Sequence, residues 1–146
     1  MFNGFGMGAL RSADGAFVMG EMGQHTSNAG RIYFPSGTPD LGDLNAGAVD
    51  IPGSVAREVE EETGLTPADY SPGEYWDCVV SGAAIAMIRI LNVDMPGDRL
   101  RARIEANLAR QGQPELAAIR LVRTTGDLTS AMPRFVTAFI EAQLNS

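Results

Sequence analysis

Arg57-Glu58-Val59-Glu60-Glu61-Glu62-Thr63-Gly64-Leu65 places four carboxylates in five consecutive residues and then stops at a glycine. On a helix each residue turns about 100°, which brings Glu58, Glu61 and Glu62 within one sector and sends Glu60 to the other side. Like charges three and four residues apart repel by roughly a few tenths of a kcal/mol, so the cluster needs something to offset it. Solvent and salt do this on most charged helix faces. The other candidate is a divalent cation, because Mg²⁺ and Mn²⁺ take carboxylate oxygens and are often held by a few acids together with substrate phosphates. The charge run alone leaves both readings open.

The neighbouring residues predict a helix from about Ser54 to Thr63, with Val55, Ala56 and Val59 forming an apolar stripe beside the acids. Gly64 suits a left-handed C-terminal cap, and Pro67 forbids continuation. Asp50, just ahead of Ile51-Pro52, is a helix-start signal.

The same string, Arg-Glu-apolar-x-Glu-Glu-x-Gly-apolar, resembles the second half of the Nudix box, G-x5-E-x7-R-E-U-x-E-E-x-G-U, where U is aliphatic. Arg57, Glu58, Val59, Glu61, Glu62, Gly64 and Leu65 fill every fixed position of that half. Upstream, Pro35-Ser36-Gly37 is similar to the Pro-Gly-Gly that commonly ends a strand before the long loop and catalytic helix in this family. The box asks for 13 residues between its first Gly and the Arg, whereas 19 separate Gly37 from Arg57. A strict count back from Arg57 puts Val49 where the first box Glu belongs, one position before Asp50. Asp50 either supplies that carboxylate or caps the helix, and the cap is the simpler reading.

The rest of the chain supplies strands on both sides of this helix. Gly8–Arg11 and Ala16–Met22 flank Ser12-Ala13-Asp14-Gly15, a hairpin signal. Gly4, Gly6 and Gly8 read as a flexible or bulged lead-in, since no strand precedes them as a phosphate loop would need. Gly23–Gly30 is a polar loop holding the only histidine, His25, which could meet a substrate phosphate or act as a general acid, and whose simpler reading is a solvated or locally hydrogen-bonded side chain. Arg31–Phe34 reads as a strand ended by Pro35. Tyr75–Val80 and Ala83–Val93 read as a strand pair around Ser81-Gly82. Tyr75 and Trp76 are expected in the core, although aromatic rings there could also stack on a base. Asp98–Arg110 carries Leu100, Ile104 and Leu108 at four-residue spacing, a helix with Arg101, Arg103 and Arg110 facing outward. Glu115 lies in Gln113–Val122, which resembles the entry to a late Nudix strand where several members place an additional acid; an exposed strand-entry Glu is the equal alternative. Pro133–Leu144 gives a closing helix. The expected architecture is a single domain over residues 1–146, an α/β fold of the Nudix-like α/β/α sandwich type with a mixed β-sheet.

An apolar content of 45% and a charged content of 20% are those of an ordinary soluble protein. The net charge of -7 argues against nucleic-acid binding, which needs a basic footprint. Residues 1–98 hold 14 acids and 4 Arg, and residues 99–146 hold 7 Arg and 4 acids. An acidic metal site facing a basic half would suit an anionic substrate, although solvated faces give the same numbers. Cys78 is the only cysteine, so neither an intramolecular disulfide nor a multi-cysteine zinc site can form. It is expected to be buried and inert. No signal peptide is evident, and the most apolar stretch, Cys78–Leu91, is too short to span a bilayer. A cytoplasmic protein without membrane partners is expected.

The resemblance implies metal-dependent hydrolysis of a nucleoside diphosphate linked to another group X, with water attacking phosphorus. It implies Glu58 and Glu62 as the main ligands of Mg²⁺ (or Mn²⁺), Glu61 as a further ligand or the base, and Arg57 as the residue that orients the acids. Glu61, Glu58 and Glu115 all remain candidates for the base, and a backbone carbonyl at Ser36 or Gly37 is a candidate for completing the metal shell. The partner would be a nucleotide-like or other diphosphate-containing small molecule, and a homodimer is one assembly open to the chain. A Nudix-fold domain that binds a nucleotide or sugar phosphate without cleaving it is the alternative.

Overall fold

The structure, a computed structural model, describes residues 3–26, 28–35, 51–82 and 84–145. Asp50, Ser36 and Gly37, on which the first half of the box depends, lie outside the described residues. The described residues form six strands and three α-helices in the order β1 (Asn3–Arg11), β2 (Phe17–Met22), β3 (Ile32–Tyr33), α1 (Ile51–Thr63), β4 (Ser71–Ser81), β5 (Ala84–Asn92), α2 (Gly97–Ala109), β6 (Leu116–Val122) and α3 (Arg134–Leu144).

The turn between β1 and β2 forms at the expected Asp-Gly pair. The Ser12 N–H donates to Ala16 O at 2.8 Å, and Gly15 takes a φ of 86°, which a side chain would resist. The two strands then diverge. Antiparallel pairing joins them at Arg11 and Phe17, after which β1 runs parallel to β5 from Asn3 beside Ala84 to Arg11 beside Asn92. Along its length β2 pairs with β6, and further on also with β3. The sheet is therefore mixed, in the order β3-β2-β1-β5-β4 with β6 branching from β2.

Gly4, Gly6 and Gly8 are not a lead-in; they lie within the central strand β1. The reason is visible at Gly8, where an added Cβ would stand 2.5 Å from Leu91 Cδ1 and 3.0 Å from Val55 Cγ1. A glycine here lets α1 approach the sheet closely. On that same face α2 buries Gly97, Leu100, Ile104 and Leu108. Helix α3 covers the opposite face: Phe135 meets Phe5 with ring centroids 5.1 Å apart, and Phe139 meets Phe17 at 5.9 Å. Three layers result, with the apolar core on both sides of the sheet.

Two expectations fail on β4. Tyr75 is 76% exposed rather than in the core, and Cys78 is exposed rather than buried. Both follow from position, since β4 ends the strand order and its side chains are covered only in part. Trp76 does pack against the core, with the Arg89 guanidinium 5.6 Å from its ring centroid. Among the described residues no helix is long and apolar enough to cross a membrane.

Candidate functional site

Helix α1 begins at Ile51, earlier than the expected Ser54, and ends at Thr63 as expected. Its end is fixed locally. The Thr63 hydroxyl donates to Val59 O at 2.6 Å, the Gly64 N–H donates to Glu60 O at 2.9 Å, and Gly64 has a φ of 81°. A Cβ on Gly64 would also meet Asn107 at 2.7 Å, so the same glycine that caps α1 allows α2 to pack against its end.

That packing builds a cavity of about 160 Å³ lined by Glu61, Glu62, Leu108, Gln111, Gln113, Glu115 and Leu116. Two carboxylates from the end of α1 thus share a cavity with one that stands just before β6, although more than fifty residues of chain separate them. The acids differ in environment. Glu62 is buried, 7% exposed, because it continues the face that carries Val55 and Val59, whereas Glu61 and Glu115 are exposed. Glu58 is half-buried one turn before Glu62 and is not among the residues lining the cavity. Glu60 is exposed and does not line the cavity; the Tyr70 phenol is held above its usual pKa by burial and then by the charges of Glu60 and Asp69. Arg57 is exposed and forms no ion pair with the described residues.

The polar loop after β2 reaches the same place. The Gly23 N–H donates to Glu115 O at 2.7 Å, and the Thr26 hydroxyl and N–H both close on Gly23 O, at 2.8 and 3.1 Å. His25 Nδ1 and Glu115 O each lie 3.1 Å from the point where a Cβ on Gly23 would stand, so at most twice that distance separates them. His25 itself is exposed. The α2–β6 connection supplies what the sequence reading missed, namely Gln111 and Gln113 on the cavity wall. Their signal was the short Gly- and Pro-containing connector that delivers Glu115.

Arginines of the basic C-terminal third are largely paired with acids, several of them from the acidic part. Arg120 meets Glu21 at 2.7 Å, Arg103 meets Asp69 at 3.1 Å, and Arg123 meets both Asp14 and Asp98 at 3.6 Å. The charge asymmetry is thus partly consumed in exposed pairs, which contribute little to stability individually.

The donor chemistry of the cavity fits a hard divalent cation, since carboxylate and amide oxygens are the ligands such ions take. Among the described residues no three His, Cys, Asp or Glu side chains are gathered closely enough to hold an ion as they stand. The acids line a wall and do not enclose a point.

No family model matches the sequence, and no curated protein matches it. Solved structures do match. A Nudix hydrolase from M. smegmatis, RenU, superposes with a TM-score of 0.57 at 12% identity, over 96% of this chain and 81% of that one. The MutT protein of Methanosarcina mazei Go1 gives a TM-score of 0.52 at 18% identity, over 97% of this chain and 93% of that one. The chain has a Nudix, MutT-like fold, with the expected mixed sheet between helices.

Proposed function

We propose that the protein is a metal-dependent hydrolase that cleaves the diphosphate bond of a nucleoside diphosphate linked to another group X. The observation that carries this reading is the cavity shared by Glu61 and Glu62 of α1 and Glu115 before β6. The match of Arg57–Leu65 to the box and the fold supports it. Adjacent phosphates repel an incoming water until their charge is neutralised, and a bound Mg²⁺ or Mn²⁺ would supply that neutralisation and polarise the phosphoryl oxygens. Glu62, Glu58 and Glu61 would hold the ion. Glu62, buried where it lines the cavity, is the acid most constrained by packing, as a positioned ligand requires. Glu61, Glu58 and Glu115 are the carboxylates available to take the proton of the attacking water, and the exposure of Glu61 and Glu115 leaves both accessible to it. Arg57 would act on the acids from outside the cavity.

The test is release of phosphate or nucleoside monophosphate from nucleoside triphosphates, dinucleoside polyphosphates, nucleotide sugars, and nicotinamide or coenzyme A diphosphates, with and without Mg²⁺ or Mn²⁺. Metal-dependent release from one class, lost in Glu62→Gln, is expected. Binding without release from any class would replace the hydrolase with a sensing domain.

A further inference from the structure

A second cavity, of about 140 Å³, lies on another side of α1. Val55 and Ala56 of α1, Tyr70, Trp76, Arg89 and Leu91 line it, and most of that lining is apolar. Ala56 and Glu61 stand about 140° apart around the helix, so α1 itself separates this cavity from the one its acids share.

Strand β4 shapes the space. Trp76 pairs with Arg89 and Pro72 with Leu91, so three residues of β4 stand opposite one of β5 and form a bulge. Within the bulge the Gly73 carbonyl accepts from Arg89 Nε at 2.7 Å, and the guanidinium lies 5.6 Å from the Trp76 ring centroid. Bulges re-aim side chains, and this one holds a half-buried guanidinium against an indole at the cavity wall. With Nε committed to Gly73, the two Nη groups present paired N–H donors, which suit a carboxylate held by two parallel bonds.

Size and charge select the occupant. An apolar cavity of about 150 Å³ takes a benzene ring, so the volume here matches one six-membered ring. Two aromatic walls, Trp76 and Tyr70, favour an aromatic ring over an aliphatic one. Burial and then the charges of Glu60 and Asp69 raise the Tyr70 phenol pKa, which makes the Tyr70 end unfavourable to an anion and leaves the Arg89 end to attract one. We propose that this cavity binds a small aromatic carboxylate, its ring among Val55, Tyr70 and Leu91 and its carboxylate on the Arg89 Nη groups. The site is independent of the hydrolase reading. Because the guanidinium is already held in place, little ordering is left for binding to impose.

Trp76 is the only tryptophan, so its emission reports on this cavity directly. Benzoate is expected to change that emission saturably, at concentrations at least ~10-fold lower than benzamide, which lacks the charge, or acetate, which lacks the ring. Cyclohexanecarboxylate should bind more weakly than benzoate. Ala56→Leu, which fills the cavity from α1, should abolish the response, and Arg89→Met should reduce benzoate to the level of benzamide. An unsaturable response to benzoate, a comparator that binds as well, or benzoate binding unchanged in either variant would overturn the proposal. The four probes are compared on the parent protein, so that part of the test stands even where a variant fails to fold.

Discussion

Helix α1 has two flanks along its length, its middle and its C-terminal end, built on opposite terms. On one, Val55 and Val59 are buried, and Gly8 of β1, without a side chain, lets the helix sit close at Val55. On the other, Glu61 and Glu62 meet α2 and the entry to β6, and a carboxylate is drawn under the surface beside Leu108 and Leu116. The first flank contributes stability through packing. The second places three carboxylates on one cavity, one of them buried, and a bound cation would offset their mutual repulsion. A fold accepts this when the arrangement serves binding or catalysis, and activity and stability then trade against each other.

Substitutions on the two flanks should therefore separate activity from stability. Glu62→Gln is expected to have the largest effect, a loss of at least ~2.7 kcal/mol of transition-state stabilisation, the scale of one key electrostatic group. The substitution keeps the side chain's size, so the loss should appear in turnover and not as unfolding; kcat/KM and Tm measured together decide this. Gly8→Val should do the reverse, costing about 1–3 kcal/mol of stability by overpacking against Leu91 and Val55, with activity retained at temperatures where the variant is folded. Unchanged thermal unfolding in Gly8→Val would show that α1 is not seated as described.

Beyond the end of α1 the turn at Thr66–Asp69 gives a smaller, pH-dependent effect. Asp69 Oδ2 accepts from the Thr66 N–H at 2.8 Å, and Oδ1 meets Arg103 at 3.1 Å. The Thr66 N–H, above all, holds this carboxyl below its usual pKa against the opposing effect of burial, with Arg103 helping. The folded form thus binds its proton more weakly than the unfolded chain, and the stabilisation is present above the ordinary aspartate pKa and lost as pH falls through the lowered one. Asp69→Asn should cost about 0.5–1.5 kcal/mol at neutral pH and progressively less in acid, read from urea unfolding across pH. The smallest effect is expected at His25, which is exposed beside the cavity. His25→Ala should leave turnover nearly unchanged, and a hundredfold loss of rate would make it part of the reacting site.

The contrast between the flanks also explains how much could be read from the sequence. The helix, its glycine cap and the apolar spacing of α2 were legible because each is a local pattern: three carboxylates and a glycine within one helix turn or two, and Leu100, Ile104 and Leu108 on one stripe. The layered architecture followed from strands on both sides of that helix. Burial of Glu62 was not legible, because it depends on α2 and β6 arriving over the end of α1, contacts set by Gly64 and Asn107 across forty residues of chain. For the same reason Gln111 and Gln113 went unnoticed. Cys78 and Tyr75 were misjudged because residue type predicts burial only when the strand is interior, and the place of β4 at the edge is a property of topology. The glycines of β1 read as a lead-in because their place in a central strand is set by β5, and the role of Gly8 as a seat for α1 depends on contacts with Val55 and Leu91 far along the chain.

The central claim is that α1 and the entry to β6 form one reacting site, and a double-mutant cycle tests it most directly. Glu62→Gln, Glu115→Gln and the double variant would be compared in kcat/KM on whichever diphosphate the protein cleaves fastest. Two carboxylates acting on the same step are expected to give a combined loss far smaller than the product of the single losses. Losses that multiply, or a Glu115→Gln variant with normal turnover, would contradict the account and confine the chemistry to α1.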